Sequence, residues 1–182
     1  MWSHFEKVFA LIMALVLMYL WPISSTLNKQ DDISEIVVLN ATSQFVDSVR
    51  NKGYITPTMY NEFVNQIILT GNTYDIQMVH LHKRYDPIYN DDGTFLGGFN
   101  VNEEGFYNAQ INEKLFPRTS TEGLDSPNRV YKLAVYDFFN VTVKNTNRTL
   151  ATLINDLLSG NINAPNEKIV IPYGGMVLNE DY

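Results

Sequence analysis

From Val8 to Ile23 the chain reads "VFALIMALVLMYLWPI", with no charged position, inside a sequence that is otherwise polar and acidic. A membrane span takes roughly 17–25 mostly apolar residues, and the apolar region of a secretory signal about 7–15, so this run lies at the border between them. Trp2 and Phe5 before it, with Tyr19 and Trp21 closing it, occupy the places where aromatic side chains seat at the two membrane interfaces. The following "WPISS" fits a small-x-small cleavage pattern poorly, because Ile23 would fall at the third position before the cut. The pattern therefore predicts a retained single-pass anchor, with a cleaved signal ending near Ser25 as its alternative. Few cationic residues flank the run on either side, and orientation is assigned with the short N-terminal flank inside and the larger part of the chain outside.

Beyond the run, Ile33, Ile36, Val37, Ala41, Phe45 and Val49 recur at helical spacing. Asp31, Asp32 and Glu35 suit the start of such a helix, Arg50 and Lys52 its end, and Gly53 stops it. Pro22 is expected to kink this stalk or separate it from the anchor, since a proline inside a helix removes a backbone donor. The organisation predicted is an anchor over 1–28, a stalk over 29–53 and a head over 54–182.

In the head, "TPTMYNEFVNQIILTGN" carries an N-cap at Thr56, Pro57 at the first helical position and a stop at Gly71. "TYDIQMVHLHKRY" alternates as a strand, "DPIYNDDGTFLGGFN" reads as a loop with an Asp-Gly turn, and "NEEGFYNAQINEKLF" as a helix. "RVYKLAVYDFFNVTVKN" is rich in aromatic and β-branched residues and reads as a strand that bends or breaks near Asp137. A helix through Leu150, Leu153/Ile154 and Leu157/Leu158 follows, then a last strand in which Pro172 and Gly174-Gly175 force an edge, bulge or turn. The fold class is α+β: a transmembrane helix continuing into an amphipathic stalk, with a small head of mostly antiparallel strands and short helices.

A net charge of -7 and the lack of any Lys/Arg cluster exclude a nucleic-acid surface. With no cysteine, thiolate chemistry and disulfides are excluded as well. His80 and His82 fall on one face of a strand, a spacing a metal site can use, but the sequence supplies no assured third ligand, so a partly solvated sheet face is the preferred reading. No motif for hydrolysis or phosphate binding is present, and neither a catalytic residue nor a cofactor is assigned. Tyr85, Tyr89, Phe95 and Phe99 are read either as an interaction surface or as cover for the core.

The order of a short flank with Glu6, an apolar run from Val8, an amphipathic helix to Gly53 and a compact α+β head resembles the TadE-type, minor-pilin-like membrane proteins of Tad (Flp, type IVb) pilus systems and related bacterial envelope apparatus. The stretches "FVDSVRNKGYITPTMYNEFVNQIILTGNTYDI", "HKRYDPIY" and "YGGMVLNE" resemble bacterial proteins of that general build. Prepilin leaders end in glycine, and no glycine precedes Val8, so the resemblance does not extend to processing. It implies a subunit of the bacterial cytoplasmic membrane with an extracytoplasmic head, whose partners are the membrane and other copies of itself or related subunits. Glu6 matches the glutamate that pairs with a neighbouring subunit's terminal amine. Ala10 and Ala14, four residues apart, offer a small-residue strip for helix contact. The alternative is an exported domain that binds a ligand through the Tyr85–Phe99 loop.

Overall fold

The computed structural model describes residues 2–119, 121–160 and 168–182, with side chains from residue 4 onward. The interfacial side chain expected at Trp2 therefore lies outside the described side chains. A single helix, α1 (Trp2–Lys52), carries both the apolar run and the stalk. Pro22 does not separate them, because a proline costs the ladder only one donor and the remaining backbone bonds carry the helix past it. Almost none of the apolar segment is covered by the rest of the chain, Met18 and Trp21 being 75% and 78% exposed.

The head wraps the C-terminal half of α1. Val38, Ala41, Phe45, Val46 and Val49 are buried against α2 (Pro57–Ile68) and a four-stranded antiparallel sheet. The sheet is ordered β3-β2-β5-β6, from β2 (Tyr74–Tyr89), β3 (Phe95–Tyr107), β5 (Phe138–Asn145) and β6 (Val170–Met176). Phe45 stacks on Phe63 at 4.7 Å and meets Phe139 edge-on, so the helix, α2 and the sheet share one core. Two short strands, β1 (Tyr54–Ile55) and β4 (Tyr131–Lys132), pair beside it. Thr56 caps α2 as expected, its hydroxyl accepting from the Met59 N–H at 3.2 Å.

Several expectations are corrected. The stalk stripe divides: Ala41, Phe45 and Val49 are buried in the head, whereas Ile33, Ile36 and Val37 stay exposed and the head covers Ser24, Asp31 and Ser34 on that stretch. The reason is polar: the head meets this part of α1 through α4 (Leu150–Ser159) and the start of the last strand. Asp31 accepts from Thr149 Oγ1 at 2.7 Å and Lys168 Nζ at 2.9 Å, and Ser24 donates to Asn155 Oδ1 at 2.8 Å. Because α4 is tied down through these groups and Ala151, its predicted apolar face is left exposed at Leu150, Leu153, Leu157 and Leu158, with Ile154 half-buried. Breaking a buried ion pair costs roughly 3–5 kcal/mol, and Lys168 keeps part of its water, so Asp31→Ala should destabilise the head by about 2 kcal/mol. Urea unfolding followed by the near-ultraviolet signal of the tyrosines measures it, and a loss below about 0.5 kcal/mol would show the pair to behave as a surface bridge.

The segment read as a loop from Asp86 to Asn100 is the end of a long hairpin, and Asn102–Tyr107, read as helix, is strand. Only Asn108–Leu115 (α3) is helical. Cross-strand pairing decides this, since each arm satisfies the other's backbone groups as far as Tyr89 opposite Phe95. The Asp-Gly signal marks the turn itself, with the Gly93 N–H donating to Asn90 O at 3.0 Å. Pairing of β2 with β5 ends at Leu81 opposite Phe138, so the rest of the hairpin projects as a two-stranded arm. The strand expected around Asp137 does break there, between β4 and β5.

Candidate functional site

Alternation along β2 turns Met78, His80 and His82 to the same face, towards the head interior. Met78 and His80 are buried, while His82, nearer the end of the sheet, is 39% exposed along its side chain. The break between β4 and β5 then delivers Asp137. Its carboxylate accepts from His80 Nε2 at 2.8 Å and from His82 Nδ1 at 2.9 and 3.0 Å. Backbone N–H groups of Ala134 (2.9 Å) and Lys83 (3.2 Å) donate to it as well. Tyr131 O–H meets His80 Nδ1 at 2.7 Å, and Phe106 stacks on the His80 ring at 5.4 Å. Every polar atom of His80 is satisfied if the ring is neutral, with Nε2–H donating to Asp137 and Tyr131 donating to Nδ1.

The electrostatics follow from burial and donors. Burial pushes the His80 imidazole below its ordinary value, against the pull of Asp137. Burial alone would raise the Asp137 carboxyl, but donation from His82, His80, Ala134 and Lys83 outweighs it and holds the group below the usual carboxylate range. The Tyr131 phenol is pushed well up by burial and by the nearby Asp137 charge.

The turn that presents Asp137 is closed by its own N–H to Ala134 O at 3.1 Å and contains Tyr136 at φ 74°. This left-handed conformation is costly for a bulky side chain. The C-terminal segment holds it: Tyr136 N–H donates to Val177 O at 3.1 Å, and Val177 N–H to Asp137 O at 2.8 Å. The cluster opens into a cleft of about 740 Å³ that Gln110, Lys114, Lys132 and Tyr182 also line. Sequence reading found the two histidines and missed their partners Asp137 and Tyr131. The one signal was a lone carboxylate inside the aromatic run "AVYDFFNV".

The other residues singled out lie elsewhere. Glu6, Ala10 and Ala14 are exposed on the uncovered part of α1. Tyr85, Tyr89, Phe95 and Phe99 sit on the projecting arm, all exposed, with Phe95 5.9 Å from Tyr89 and 5.4 Å from Phe99. They do not cover the core. No family model matches the chain, and comparison with curated proteins and with solved structures finds no match.

Proposed function

We propose that this chain is a membrane-anchored, pilin-like structural subunit of a bacterial surface filament or secretion apparatus, acting by helix packing and protein contacts. The observation that carries the reading is the continuity of α1. Its apolar segment runs without a break into the stalk, and on the side away from the head Ile33, Ile36 and Val37 extend the exposed apolar surface past Pro22. A helix that only anchored a soluble head would have no use for apolar positions beyond the membrane. A helix packed against copies of itself would bury them. The exposed leucines of α4 support the same arrangement. The Ser24–Asn155 bond ties that short helix to α1 where the apolar run ends, and on this reading its exposed leucines would meet the lipid interface.

The arm supplies a second contact. Two strands alone are marginal in water, and Tyr85, Tyr89, Phe95 and Phe99 give them an aromatic surface that a neighbouring subunit would cover. That same surface is what the exported ligand-binding reading would use.

Because the chain has no cysteine, single substitutions report neighbours cleanly. In native membranes, Ile36→Cys should form disulfide-linked pairs on mild oxidation, and Glu113→Cys, exposed on α3, should not. Deleting residues 8–23 should move the protein from the carbonate-resistant membrane fraction to the soluble fraction and abolish the Ile36→Cys product. Full-length protein that washes off with carbonate, or Ile36→Cys that stays monomeric, would favour the exported binding domain.

A further inference from the structure

We propose that His80, His82 and Asp137 form a binding site for a divalent first-row transition metal, a role independent of how the subunit assembles. Among the described residues, these three bring their donor atoms within 4.8 Å of one another. The decisive feature is convergence. Both His80 Nε2 and His82 Nδ1 aim at the same carboxylate, at 2.8 and 2.9 Å, from one face of a single strand. With metal–ligand bonds of about 2.0–2.2 Å, adjacent donors of an octahedral ion lie about 3 Å apart, which the two histidine–carboxylate spacings already match. Two imidazoles and one carboxylate suit zinc, iron, cobalt or nickel, whereas calcium and magnesium prefer sites made of oxygen.

The surroundings are those a metal site uses. A ligating histidine donates its other ring N–H to a fixed partner, and Tyr131 waits at His80 Nδ1. The protons balance without any being released. The His80 proton shifts from Nε2 to Nδ1, where it is donated to the Tyr131 oxygen, whose own hydrogen turns away. The His82 proton shifts from Nδ1 to Nε2, on a ring that keeps access to solvent. The cleft leaves the remaining coordination positions open to water or to an added ligand. The strained Tyr136 backbone directly precedes Asp137, and an unfavourable φ persists at a bulky residue where the surroundings hold it to aim a functional side chain.

The test uses the full chain in detergent micelles, stripped with chelator and titrated with Zn²⁺ and separately with Co²⁺. Saturable binding of one equivalent is expected, with visible Co²⁺ absorption and a rise in the thermal midpoint. His82→Gln keeps an N–H for Asp137 but replaces imidazole by a poor ligand, so it should fold as the parent does and bind at least about a hundredfold more weakly. His4→Ala, which removes the only other histidine, should bind unchanged. Absence of saturable binding by either ion, or equal affinity in the parent and His82→Gln, would overturn the site and leave the cluster a hydrogen-bonded brace.

Discussion

Asp137→Ala should destabilise the head by roughly 3–5 kcal/mol in metal-free buffer. The carboxylate is almost wholly buried and accepts from two imidazoles and two backbone N–H groups. Truncation leaves His80 Nε2–H and the amides of Lys83 and Ala134 without acceptors, and each unpaired buried donor costs about 1–3 kcal/mol. His82 recovers water, so it adds little. The turn through Tyr136 loses its side-chain ties to the Ala134 and Lys83 amides, while its backbone bonds to Ala134 and Val177 remain. Asp137→Asn keeps the shape and some acceptor capacity but points an amide N–H at groups that are themselves donors, so an intermediate loss is expected. Urea unfolding of the full chain in micelles, read through the near-ultraviolet signal of the tyrosines, gives both values. A loss below about 1 kcal/mol for Asp137→Ala would mean that solvent reaches these donors and that the cluster does not hold the turn.

The elements legible in the sequence were those whose pattern is local. Thr56-Pro57 with Gly71 marks α2, Gly53 marks the end of α1, and the aromatic run from Phe138 marks β5. What escaped was set by partners distant in sequence. Glu103 and Glu104 look like a helix start, yet they pair across from Lys83 and His82 as strand. The stripe from Ile33 to Val37 has the spacing of a buried face, yet the head touches the other side of α1, where Asp31 finds Lys168. The same holds at the candidate site. The i, i+2 histidines are a strand pattern and were visible, whereas Asp137 becomes their partner only because β5 pairs beside β2. Such juxtapositions belong to sheet order, which hydrophobic periodicity does not encode.

The other large effect is expected where α1 ends. Gly53→Ala should cost roughly 3–5 kcal/mol, against about 1 kcal/mol for Gly71→Ala. The two glycines share a left-handed backbone, at φ 76° and 80°, so the conformational cost of a side chain is similar. Their surroundings differ. A Cβ at Gly71 meets nothing within 4 Å, whereas at Gly53 it would lie 2.3 Å from the backbone oxygen of Asn179. That oxygen belongs to a C-terminal segment that closes the helix end: Leu178 N–H donates to Arg50 O and Asp181 N–H to Lys52 O, both at 2.8 Å. These are carbonyls that the last turn of a helix cannot satisfy by itself. An added methyl must push the segment away, and the carbonyls, together with the Val177 contacts that hold Tyr136, go with it. In a domain of this size about 1 kcal/mol moves the thermal midpoint by roughly 3–4 °C. Gly53→Ala should therefore melt about 9–20 °C below the parent and Gly71→Ala only about 3–4 °C below. Equal losses in the two variants would show that the C-terminal segment does not rest on the helix end, and that the site's turn is held by other means.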